Sequence, residues 1–255
     1  MREPLPDYVF EATRVIVNDL KIYRITGACG LAAIAVFFIE FPFYLVRSGF
    51  PGVTDPVKIA DFTTTYGTNV MTCVFFDFII LTLMMIFLAG FRHLIRQADE
   101  RHEWLGTLVF GVGLVYITLT FVADSLQAAT VVDARTIPAN GVIIRAMLES
   151  SFLMYGSVAL FLMALLMALA GYVGVASRAL PAWSAWVGYL CALGCLAFVP
   201  SMFFGSPDIM RFYNPAGWGP EAIASSFPLA VWMITIGILM MRKREPAAPS
   251  AITRG

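Results

Sequence analysis

The chain has 255 residues, of which 59% are hydrophobic and 13% charged, about half the charged fraction of a soluble domain. That much apolar surface calls for lipid and excludes an ordinary water-soluble globule. Seventeen basic residues balance seventeen acidic ones, which gives no footing for a nucleic-acid partner.

Residues 1–24 form a first segment. Pro4 and Pro6 suit a loop before a helix start. Val9, Ala12, Ile16, Leu20 and Tyr23 then recur at helical spacing with charges between them. The pattern predicts an amphipathic helix on the cytoplasmic membrane surface or, equally, a cytoplasmic extension of the first span. Residues 1–21 are too charged for a cleavable leader, so the first apolar run is expected to remain as a helix.

Six spans are predicted within residues 25–241: 25–46, 68–91, 104–128, 142–175, 183–204 and 221–241. Each supplies the roughly 20 residues that cross a bilayer at about 1.5 Å per residue. The fourth is long enough to tilt or project. Residues 242–255 form a short tail with Pro246 and Pro249. The expected fold is all-α: a polytopic membrane helix bundle with six transmembrane helices and both termini cytoplasmic. Basic residues support that orientation. Arg47, Lys58, Arg135, Arg145 and Arg211 fall on the outer side and the other twelve fall inside, a positive-inside bias.

Outer loops are expected at 48–67, 129–141 and 205–220, each marked by Gly/Pro clusters. The third carries Phe212, Tyr213 and Trp218 just after Phe203 and Phe204. Such a set suits an interfacial aromatic belt, and it would also suit a lid over a cavity. Cys29, Cys73, Cys191 and Cys195 all lie in apolar runs and read as buried thiols. Small residues predict close helix packing: Gly106, Gly111 and Gly113 on the third span, and Ala164, Ala168 and Gly171 on the fourth.

Four carboxylates interrupt or border these spans: Glu40, Asp77, Asp124 and Glu149. A charge in lipid is costly, so such groups face a bundle interior or a wet cavity. On the predicted topology all four fall in the outer half. Asn69, Cys73 and Asp77 share one helix stripe at i, i+4 and i+8. Tyr116, Thr120 and Asp124 repeat that spacing, with Gln127 close by, and Arg145 and Glu149 form an i, i+4 pair. Lipid cannot satisfy these groups, so a polar pocket opening outward is predicted between the first four spans. Its candidate ligand-binding residues are Glu40, Asp77, Asp124, Glu149, Arg145, Asn69 and Tyr116.

No metal site is expected. Bundle di-metal centres use Glu-x-x-His, whereas His93 and His102 fall in an inner loop and read as solvated residues. No cofactor is implied, and nucleophile-elbow, phosphate-loop and zinc-protease motifs are missing from the sequence.

Arg24-Ile25-Thr26-Gly27 opens the first span. Leu180-Pro181-Ala182-Trp183 and Trp186-Val187-Gly188 open the fifth. With these openings and six spans, the chain resembles a family of uncharacterised bacterial integral membrane proteins, mostly actinobacterial. The resemblance implies the fold and a multi-pass place in the bacterial plasma membrane. It transfers no activity and no functional residue.

The leading functional expectation is a protein that binds, senses or transports a small cationic or protonatable ligand. One alternative is an accessory subunit docking a membrane-protein partner. Another is an intramembrane enzyme acting on a lipid or isoprenoid. Membrane lipids are partners in every case.

Overall fold

The computed structural model describes residues 7–45, 55–135, 140–204, 211–215, 217 and 219–243, with side chains from residue 19 onward except at 44, 45, 221 and 222. The described residues are helical, with no strand among them. Five helical stretches are long and apolar enough to cross a membrane. By length and composition the chain is a polytopic membrane protein.

Helix α1 runs unbroken over Asp7–Leu45, so the N-terminal segment continues the first span and is not a separate helix. Helix α2, Pro56–Ala98, starts twelve residues before the predicted span. The cause is local. Asp55 caps it by accepting from the N–H groups of Val57 and Lys58, at 3.1 and 3.3 Å. Pro56 follows in the first turn, where its missing N–H costs nothing. Most of the expected loop at 48–67 is therefore helix.

A tight corner joins α2 to α3, Glu103–Ala134. Asp99 accepts from the N–H of Arg101 at 3.0 Å and meets His102 Nδ1 at 2.9 Å. These hydrogen bonds, the Arg101 N–H first, hold its carboxyl below the usual carboxylate range.

The predicted fourth span is two α-helices joined by a bulge. Helix α4 covers Gly141–Leu153 and α5 covers Ala159–Ala176. Between them Met154–Val158 is a π-helix with Gly156 at φ −77°, ψ −110°. Helix α6, Ala182–Leu196, gives way to a 3₁₀ turn at Val199–Phe203. Pro200 explains the break: it lacks the N–H that an α-helix would direct to Leu196 and crowds that carbonyl. The predicted sixth span is also interrupted. A π-helix at Gly219–Ala224 precedes α7, Phe227–Met241, whose first turn contains Pro228. Its 15 residues rise only about 22 Å, short of a bilayer core of about 30 Å.

Neighbouring helices close a ring in the order α1, α2, α3, α5, α6, α7, with α7 returning to α1. Two glycine contacts make the closure possible. A Cβ on Gly27 would lie 2.5 Å from the Gly237 carbonyl oxygen, and one on Gly188 would lie 2.7 Å from that of Met167. The α1–α7 and α5–α6 backbones therefore touch, as small residues allow. Of the expected small-residue faces, Gly113 packs on Leu88 and Gly171 on Ala185, while Gly111 faces open space.

The ring interior is packed by Phe87, Leu88, Phe91, Leu160, Met163 and Trp232, all fully buried. Trp232 meets Phe87 edge-on at 5.6 Å between ring centres. A second, small core joins the start of α2 to the end of α3 and to α4 through Ile59, Ala134, Ile144, Leu148 and Phe152.

At the end of the bundle where α1 begins and α7 finishes, charged residues from three helices meet. His93 Nε2 lies 3.0 Å from Asp19 Oδ1, and Lys243 sits 4.8 Å above the Tyr23 ring. Burial pushes the Lys243 amine down, and Asp19 opposes that shift. His93 thus belongs to α2 and is partly buried, not a solvated loop residue. The reason is that α2 continues to Ala98, past the predicted end. None of the four cysteines is in a disulfide, and three of them are buried.

Candidate functional site

At the opposite end of the ring from Lys243, the packing opens into a cavity of about 130 Å³. Helix α1 contributes Ile34, Phe37, Glu40 and Phe41, spaced i, i+3, i+6 and i+7 on one face. Phe38 and Ile39 occupy the opposite face and are exposed. Helix α2 repeats the pattern with Asp77, Ile80, Leu81 and Met84, while Phe75 and Phe78 point outward. Helix α3 adds Tyr116, Thr120 and Gln127. The π-bulge supplies Tyr155, and the start of α7 supplies Ser225, Ser226 and Leu229.

Both acids of the wall sit on inward faces. Glu40 is only 5% exposed, although it lies two residues from Pro42 near the end of α1. Asp124 lies behind the wall, fully buried on α3. The Tyr155 hydroxyl, itself in the lining, donates to Asp124 Oδ1. Tyr155 therefore links the cavity surface to the buried acid. Thr120 returns its hydroxyl to the Tyr116 carbonyl at 3.0 Å, which satisfies a polar group without a partner helix.

The breaks in regular helix gather beside this site. The π-bulge packs on the 3₁₀ turn after α6 and on the π-helix before α7. The Ser157 and Ser201 hydroxyls approach to 3.5 Å there, both buried. The segment before α7 folds inward as well. Asn214 is 1% exposed. Phe212 meets Phe198 edge-on and Tyr213 meets it at a tilt, with ring centres 5.6 and 5.5 Å apart. Tyr213 also donates to the Ala197 carbonyl at 2.7 Å. This aromatic set packs at the end of α6, with Phe203, Phe204 and Phe212 exposed as an interfacial belt requires, and none of it is among the lining residues of the cavity. Trp218 lies outside the described residues.

The structure divides the seven candidate residues. Glu40, Asp77 and Tyr116 line one cavity, and Asp124 joins it through Tyr155. Arg145 and Glu149 form their expected pair at 3.0 Å, on a partly exposed face of α4, and neither is a lining residue. Asn69 is half-buried and also stands outside the lining. For Arg145 and Glu149 the π-bulge intervenes: it separates α4 from α5, so residues before it need not share the cavity face of those after it.

Three polar contributors lie outside the predicted set. Tyr155 carries a readable signal, an aromatic hydroxyl beside a mid-span glycine and serine. Ser225 and Ser226 carry another, since they stand immediately before Phe227-Pro228 at a helix start. The pocket predicted between four spans therefore has a fifth wall, α7. Comparison with protein-family models, curated proteins and solved structures gives no match.

Proposed function

We propose that this protein binds a small cationic or protonatable ligand in the cavity, and senses or transports it. The observation that carries the reading is the joint placement of Glu40 and Asp77, from adjacent helices, on the wall of one cavity. Two carboxylates on one wall make a negative site that a positive charge can occupy. Tyr116, Tyr155 and Gln127 would orient the ligand by hydrogen bonds. Arg145 and Glu149 drop from the candidate set and take a structural role on α4.

With both termini cytoplasmic and the broken α7 counted as a sixth span, the cavity opens outward from a bacterial plasma membrane. The distribution of basic residues supports that orientation. The resemblance stated for the helix openings supports the compartment.

Cation-induced stabilisation of the purified protein tests the proposal. A ligand at about 100 times its Kd adds roughly 2.7 kcal/mol, visible as a raised unfolding midpoint. Sodium, ammonium and methylammonium form the first panel. The expected result is a shift from at least one cation that Glu40→Gln or Asp77→Asn removes while membrane yield stays unchanged. No shift from any cation, or collapse of yield in both variants, contradicts the reading.

A different surface favours the accessory-subunit reading. Val57, Val132 and Val142 are each more than 60% exposed around the second small core, and helix α2, with 43 residues, is about 64 Å long against a bilayer core of about 30 Å. This part would project from the membrane and present apolar side chains to a partner. Charged substitutions at Val57 and Val142 that leave a co-purifying stoichiometric complex intact contradict that reading.

A further inference from the structure

We infer that the ligand is a small alkylated ammonium ion, its charge held by Glu40 and Asp77 and its apolar body by the rings of Phe37, Phe41, Tyr116 and Tyr155. The inference rests on the cation-binding reading above and narrows it to a chemical class.

The wall has two chemistries. Among the described residues its charged members are both acidic, Glu40 on α1 and Asp77 on α2. The rest is largely aromatic or aliphatic, with Ile34, Leu81, Met84 and Met233 completing the inner part. Thr120, Gln127, Ser225 and Ser226 add neutral polar atoms, but a hard metal ion takes six or more oxygen ligands at short range and gains nothing from the aromatic and aliphatic part of the wall. Among the described residues, no group of three or more His, Cys, Asp or Glu side chains could hold a metal ion. An alkylated ammonium matches both parts. Its charge is spread over methyl or methylene groups, which pack on apolar side chains and interact favourably with ring faces. Recognition of quaternary ammonium by aromatic walls is the established use of that interaction.

Ring placement agrees. Phe37 and Phe41 stand one turn apart on α1, with centres 6.1 Å apart and planes tilted by 53°, so they present two differently oriented surfaces to one occupant. Tyr116 and Tyr155 come from other elements, which makes the aromatic wall multi-sided. Size favours a small ion. A cavity of about 130 Å³ is close to the roughly 150 Å³ that accommodates benzene. Tetramethylammonium or choline fits that scale, and tetrabutylammonium exceeds it.

The experiment titrates full-length protein in lipid nanodiscs with tetramethylammonium and with choline by calorimetry. Tetrabutylammonium, sodium and the neutral carbon isostere of choline, dimethylbutanol, are run beside them. The two small ammonium ions are expected to bind at one site, with the neutral isostere at least tenfold weaker. Phe37→Leu should weaken tetramethylammonium about tenfold, and Phe37→Tyr, which keeps the ring, should restore it. That pair separates ring loss from misfolding.

Sodium binding or proton exchange without ammonium binding overturns the ammonium class and leaves the cation reading standing. Equal binding of the neutral isostere overturns both. No binding of any cation also overturns both. Unchanged affinity in Phe37→Leu removes the aromatic wall from recognition and overturns this inference alone.

Discussion

Two levels of the same helix ring are built differently. Toward Lys243, α1, α2 and α7 interlock around Phe87, Phe91 and Trp232, with no exposure at any of these residues. One turn away along α2 from Phe87 stands Met84, and from there the ring opens around Glu40, Asp77 and Tyr116. The frame is shared, so side-chain size and helix continuity make the difference. Large side chains fill the closed level. At the open level Ser225 and Ser226, just before α7, and Ala230 within it stand beside Leu229 and Met233, and three neighbouring segments depart from the α-helix. Irregular backbone is tolerated at membrane depth where it is buried or lines a cavity, which accounts for the breaks occurring beside the opening.

Several substitutions break or sharpen this contrast. The largest effect is expected at the closed level. Trp232→Ala or Phe87→Ala should cost about 3–5 kcal/mol, since each empties a fully packed position, and denaturant unfolding in detergent measures it. Closure of the ring comes next. Gly27→Val places carbon against the Gly237 carbonyl and should cost about 1–3 kcal/mol by overpacking, with α1–α7 crosslinking yield reduced. Ala230→Leu at the open level should cost less than about 1.5 kcal/mol, below ordinary overpacking, because Ala230 borders the cavity and the added carbons can enter it, yet it should reduce cation binding. A cost equal to that of Gly27→Val would show that the two levels are packed alike.

The smallest effect is expected outside the ring, at Asp99. Its folded-state pKa is depressed, so its contribution is present above the unfolded value and is lost as pH falls through the folded one. Asp99→Ala should therefore shift the unfolding midpoint slightly at neutral pH, with the charge-dependent part of that shift lost only once pH has fallen below the depressed folded-state pKa.

Much of the arrangement was readable in the residues. Apolar length located the spans, and inward acids at helical spacing identified Glu40, Asp77 and the Tyr116–Thr120–Asp124 stripe. Asp55-Pro56 and Pro200 were also readable, as a helix start and a helix break, but hydropathy obscured both because the flanking residues are apolar. The Arg145–Glu149 pair misled for a tertiary reason. Its spacing on α4 is regular, but a π-bulge five residues beyond Glu149 turns the following helix, and no spacing rule carries a face across such a bulge. The role of α7 was hidden similarly: which helix closes a ring depends on contacts such as Gly27 with Gly237, which join residues more than two hundred positions apart.

The most direct measurement is the labelling rate of Ser226→Cys by a charged thiol reagent added from outside, in protein whose four native cysteines are replaced. A cavity that holds a cation predicts rapid labelling, slowed at least several-fold by tetramethylammonium, with that protection lost in Glu40→Gln. Labelling that no cation slows, or protection that persists without the Glu40 carboxylate, would contradict the account.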